Sequence, residues 1–101
     1  MAIIHELSQN RLFFYLSGEL DHHTAHDTIS YLTQQITLNR CKCIELDFSG
    51  IVFMDSSGLA VAVNAKRLSD RNGGSLKISN VPPQAMKIFR AACLEKIVMF
   101  V

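Results

Sequence analysis

Short strand-like apolar segments alternate along this chain with segments whose apolar residues recur at helical spacing, and that alternation limits the fold more than any other feature. Residues 2–7 (Ala-Ile-Ile-His-Glu-Leu) and 11–18 (Arg-Leu-Phe-Phe-Tyr-Leu-Ser-Gly) read as strands. The polar turn Ser8-Gln9-Asn10 between them predicts a hairpin. Gly18-Glu19-Leu20-Asp21 breaks the second strand. From His22 to Leu38 the apolar residues Ala25, Ile29, Leu32 and Ile36 fall on one face of a helix, with Asp21 placed to cap its free N–H groups. Cys43–Phe48 is a third strand. An irregular apolar stretch, Ser49–Met54, follows it, and Asp55-Ser56-Ser57-Gly58 punctuates the chain. A second helix is expected over residues 56–71, with Leu59, Val63, Lys66 and Leu68 among its face positions and Asn72-Gly73-Gly74 as its stop. Residues 75–80 form a strand. Pro82-Pro83 opens a helix carrying Ala85, Met86, Ile88, Phe89 and Ala92, and residues 97–101 close the chain as a strand.

The resulting order, β-β-α-β-α-β-α-β, predicts one α/β domain over residues 1–101. Its sheet should be mixed and mostly parallel, with an antiparallel hairpin at the N-terminus and helices packed against it. The length, 101 residues, suits one domain and not two, and 49% apolar residues supply a core.

Charge excludes some partners. Ten basic and nine acidic residues are interspersed, leaving a formal charge of +1 and no basic stripe for direct nucleic-acid binding. The first residues lack a charged segment followed by a long apolar one, and no run approaches the roughly 20 apolar residues of a membrane span. A cytoplasmic protein without a membrane segment is expected. Cys41, Cys43 and Cys93 fit free thiols in a reducing compartment, the first two on one face of an extended segment.

In sheets of this kind, functional groups gather in loops beyond the carboxyl ends of the strands. Two such loops are Gly18–Thr24 and Phe53–Leu59, and both open helices, so they are expected side by side. Ser56 and Ser57 lie at the mouth of a helix, where free N–H groups accommodate an anion. Asp55 and the serines are also ordinary capping residues. The flanking Phe53-Met54 and Leu59-Ala60 suggest a contact surface. His22 and His26 have metal-ligand spacing but no evident third ligand, so no metal or other cofactor is expected. A hydrolase would need a Gly-x-Ser-x-Gly elbow, which is missing, and Asp55 is too near Ser56 in sequence to orient a histidine base. Asn72-Gly73-Gly74-Ser75 lacks the lysine and length of a phosphate loop, which leaves weak nucleotide binding at the serine loop as an open alternative. The chain does not read as an enzyme.

Gly18-Glu19-Leu20-Asp21-His22-His23-Thr24-Ala25 and Phe53-Met54-Asp55-Ser56-Ser57-Gly58-Leu59 resemble the two signature segments of the STAS-domain anti-sigma factor antagonists, above all the sporulation stage II type. The likeness extends over nearly the whole chain, including Gly73-Gly74 and the last strand. Ala60 departs from a frequent glycine, and the C-terminal tail is missing. The resemblance implies that the unphosphorylated protein binds an anti-sigma factor serine kinase and so releases a sigma factor. It implies Ser56 as the phosphorylation site that switches binding off, and a serine phosphatase that restores it. Asp21, His22, Met54, Asp55, Ser57, Gly58 and Leu59 are the partner-binding residues it suggests. Related domains also serve as scaffold subunits of large stress-signalling complexes. Those usually carry an extra N-terminal domain, so free exchange between partners is the expected role.

Overall fold

Gln9 and Asn10 both adopt positive φ (49° and 65°), the left-handed pair that a two-residue hairpin turn requires. They return β1 (Ala2–Ser8) antiparallel onto β2 (Arg11–Leu20), with Ser8 opposite Arg11. The computed structural model describes all residues from Met1 to Val101. After the hairpin come α1 (Ala25–Asn39), β3 (Cys43–Met54), α2 (Ser57–Arg71), β4 (Ser75–Ser79), α3 (Pro83–Ala91), a 3₁₀ turn (Leu94–Lys96) and β5 (Met99–Phe100). The strands form one five-stranded sheet in the order β1-β2-β3-β4-β5, parallel except for the hairpin. The expected α/β architecture is the one observed.

Period-two alternation decides which face of the sheet is covered. Leu12 and Phe14 of β2, Ile44 and Leu46 of β3, and Leu76 and Ile78 of β4 are buried and in register across the strands, and Leu16 and Phe48 are buried beyond them. Ala25, Leu32 and Ile36 of α1, Val61, Ala62, Ala65 and Leu68 of α2, and Ala85 and Phe89 of α3 close over them. Phe89 meets Phe48 edge-on with ring centroids 5.6 Å apart. The intervening Arg11, Tyr15, Ser17, Cys43 and Ser75 are exposed, so the opposite face of the sheet meets solvent. Gly74 lets α2 turn into β4: a Cβ there would lie 1.9 Å from the Lys42 carbonyl oxygen.

Five local expectations are corrected. The second strand does not break at Gly18 but stays paired with β3 as far as Leu20. The first helix begins at Ala25 rather than His22, and its cap position belongs to Thr24 rather than Asp21. Asp21 instead folds the preceding turn, because its carboxylate accepts from the amides of His23 and Thr24. The stretch 49–54 is the second half of β3, not irregular chain. It looks irregular in sequence because β3 spends twelve residues on the ten of β2, with register shifts after Asp47 and at Val52. Each shift adds a residue and turns the next side chains over, so Ile51 and Met54 point inward although the spacing is not two. On α2 the buried stripe runs through Gly58, Val61, Ala62, Ala65, Leu68 and Ser69, while Val63 faces solvent. The last strand shrinks from 97–101 to Met99–Phe100, since the 3₁₀ turn takes up Leu94–Lys96 and leaves Ile97 exposed.

Candidate functional site

The carboxyl ends of β2 and β3 lie side by side, Leu20 opposite Met54, so the two loops that follow them must touch. The Asp55 amide donates to the Leu20 carbonyl at 3.1 Å. One Asp55 carboxylate oxygen accepts from the Ser57 amide at 2.8 Å, and the other from the His22 amide at 3.2 Å. The His22 imidazole lies 3.9 Å from that second oxygen and stacks on His23 with ring centroids 3.9 Å apart. Asp55 therefore caps α2 through Ser57 and ties the Asp21–Thr24 turn after β2 to it. The Ser57 backbone N–H is the main reason the Asp55 carboxyl is held below its usual range. Partial burial opposes this, and the Ser57 hydroxyl, the His22 amide and the His22 ring add to the lowering.

Ser56 stands between these anchors. Its backbone is already helical (φ −63°, ψ −15°) and its side chain is exposed and makes no capping bond. The hydroxyl sits at the positive end of a fifteen-residue helix with no internal partner to leave. Ser57 is half-buried, and its amide is committed to Asp55. Leu59 is half-buried and packs on the edge of the core, while Asp21 is half-buried and His22 exposed. Hydrogen bonds join His22, Asp55 and Ser57 beside Ser56, and Asp21 precedes His22 in the same turn. The three grooves on the molecule are all lined by other residues, so the serine is presented on an outer surface rather than in a cleft.

Met54 and Gly58 are brought to the loop but not to its surface. Met54 is fully buried and Gly58 is buried above it, so the side chain expected to touch a partner forms the floor. A Cβ at Gly58 would lie 2.3 Å from the Met54 sulfur and 2.5 Å from its Cγ, so any larger residue would have to displace the buried Met54 side chain. Phe53 and Val52 provide the exposed apolar area instead, at 45% and 75% exposure. The bulge at Val52 explains the exchange, because it turns Met54 inward and leaves its two predecessors outside.

Sequence reasoning missed Gln84. Its side-chain oxygen accepts from the Met54 amide at 2.9 Å, and its side-chain nitrogen donates to the Met54 carbonyl at 2.7 Å. Pro82-Pro83 marked the start of this helix, but nothing in the sequence pairs position 84 with position 54, thirty residues earlier. The expected separation of His22 and His26 on one helix face does not arise either: His22 lies in the turn before α1, and only His26 lies on the helix. No helix is long and apolar enough to cross a membrane.

With this geometry in view, comparisons with known proteins agree on one family. The family model for the STAS domain matches residues 2–101. The anti-sigma F factor antagonist of Paenibacillus polymyxa is 35% identical over 86 residues, covering 85% of this chain and 74% of the relative. The phosphorylated form of the Bacillus cell fate determinant SpoIIAA superposes with a TM-score of 0.77 at 26% identity, covering 99% of this chain and 91% of that one. The unphosphorylated anti-sigma factor antagonist SpoIIAA gives a TM-score of 0.76 at 24% identity, with 99% and 87% covered. An alternating chain that folds as this mixed sheet, and that matches the family over residues 2–101, belongs to the STAS-domain family of anti-sigma factor antagonists.

Proposed function

We propose that this protein is a cytoplasmic partner-switching regulator: unphosphorylated, it binds an anti-sigma factor that is also a serine kinase, and phosphorylation of Ser56 ends that binding. The observation that carries the reading is an exposed hydroxyl, free of capping bonds, on a helix mouth whose neighbours are otherwise tied down. Sigma factor is released when the antagonist occupies the kinase, and a serine phosphatase returns the antagonist to use. The contact surface comprises Asp21, His22, Asp55, Ser57 and Leu59 around Ser56. Met54 and Gly58 contribute by shaping the loop from below. The protein acts through binding rather than catalysis and needs neither nucleic acid nor membrane.

Phosphate brings about −1.5 to −2 charges and strong acceptors. The helix mouth tolerates it, so its effect falls on the interface through bulk and through repulsion added to Asp21 and Asp55. A similar relative is known in both phosphorylated and unphosphorylated forms on the same fold, which supports a switch that leaves the domain folded. The test is incubation with the anti-sigma F factor of Paenibacillus polymyxa and Mg·ATP, followed by mass-spectrometric mapping. Modification at Ser56 is expected. Ser56→Asp should weaken the complex a few hundredfold, equivalent to about 3–4 kcal/mol. Modification elsewhere with Ser56 untouched, or undiminished binding by Ser56→Asp, would refute the reading.

A further inference from the structure

From the Gln84 contacts we infer that this residue is the positioning residue of the serine loop, setting the presentation of Ser56 from α3. Met54 is the last residue of β3, two positions before Ser56, and β4 ends opposite Asp47, well short of it. On the β4 side, the backbone of Met54 would therefore have no neighbouring strand. The Gln84 carboxamide takes that place. It accepts from the Met54 amide at 2.9 Å and donates to the Met54 carbonyl at 2.7 Å, the same pair of bonds a strand residue would make. On the other side, β2 pairs Leu20 with Met54.

The clamp extends to the serine through short steps. The Met54 side chain lies against Gly58, so the five-residue arc Met54–Gly58 is fixed at its start by Gln84 and at its end by contact with the same methionine. Asp55 pins the middle through Ser57 and His22. Gln84 is held in turn by a rigid helix start, with Pro82 extended and Pro83 in the first turn, and by Ala85 and Phe89 in the core. A carboxamide suits this place because it offers one donor and one acceptor in the fork that a peptide group matches, whereas an ionised carboxylate only accepts. Displacement of α3 would thus be transmitted to the Ser56 loop.

This inference rests on Ser56 as the phosphoacceptor only for its second readout. The first readout is amide hydrogen exchange on the full chain for wild type, Gln84→Met, Gln84→Glu and, as a surface control on the same helix, Lys87→Ala. Gln84→Met should speed exchange at Met54, Ser57 and Gly58 by about tenfold or more, the loss expected for a pair of hydrogen bonds, while Leu46 in the sheet centre stays within the small global change. Gln84→Glu keeps the acceptor and should restore protection at Met54 in part, whereas Lys87→Ala should match wild type. The second readout is phosphorylation by the anti-sigma F factor of Paenibacillus polymyxa with Mg·ATP, where Gln84→Met should lower kcat more than it raises KM. Unchanged exchange across Met54–Gly58 in Gln84→Met, or acceleration spread evenly over the sheet, would overturn the inference. Failure of wild type to be phosphorylated would count against the proposed function, and the exchange result would still decide the role of Gln84.

Discussion

The two loops at the carboxyl edge of the sheet start from similar residues and end in different states. In the Gly18–Thr24 loop, Asp21 accepts from His23 and Thr24, and the Thr24 hydroxyl donates to the Glu19 carbonyl at 2.9 Å. Asp21 and Thr24 are spent on the loop itself, while the His22 and His23 side chains stay exposed. In the Met54–Gly58 loop, Asp55 is fully used but Ser56 is not. The first loop is braced by its own Asp21 and Thr24 and tied to the second through His22, while the second presents an exposed hydroxyl that makes no capping bond. The difference shows how a switch can be built on a stable frame. The hydroxyl proposed for modification makes no capping bond, while Asp55 beside it bonds to Ser57 and His22.

Substitutions can sharpen this contrast, and the largest effect is expected beneath the serine. Gly58→Ala drives a methyl into the Met54 side chain and should lower stability by about 1–3 kcal/mol, read as a thermal shift of several degrees. A normal melting temperature for this variant would mean that the floor of the loop is softer than its geometry indicates. Asp21→Ala removes the acceptor for two amides and should cost about 1 kcal/mol by chemical denaturation, with its exchange effects confined to residues 21–25.

Acid should act on the serine loop in a defined direction. The Asp55 carboxyl is held below its ordinary range in the folded protein, so its contribution to stability is present above the unfolded value, about pH 4, and is lost as pH falls through the lower folded value. Amides of Ser57 and His22 should lose protection in that interval, corrected for intrinsic exchange, and Asp55→Asn should remove the dependence. The smallest effect is expected at the serine itself. Ser56→Ala should change stability by less than about 0.5 kcal/mol, because no structural bond is lost. A larger loss would show that the hydroxyl supports the fold and would erase the distinction between the two loops.

Strand and helix order, the hairpin, and the neighbouring placement of the two loops were legible because each follows from local periodicity, turn chemistry or the rule for parallel sheets. Leu32, Ile36, Leu46 and Ile78 are core residues for the same reason, standing where a period of 3.6 or 2 puts them. The resemblance of the two signature segments pointed to the family that the comparisons identify. Reading failed where the period itself was interrupted. Two added residues in β3 made a strand look irregular and concealed that Met54 is a floor and Phe53 an outer surface. The α2 face was shifted because alanines such as Ala62 and Ala65 carry little hydrophobic signal, yet both are fully buried in that stripe.

By itself the sequence determined the alternating α/β plan, the position of Ser56 at the start of a helix, and the Asn72-Gly73-Gly74 stop that ends that helix. Tertiary structure alone decided that Asp55 would bridge to His22 and that Gln84 would close the end of β3. Such contacts join residues about thirty positions apart. Their formation depends on which strands become neighbours and on where a bulge turns a side chain, and local propensity records neither.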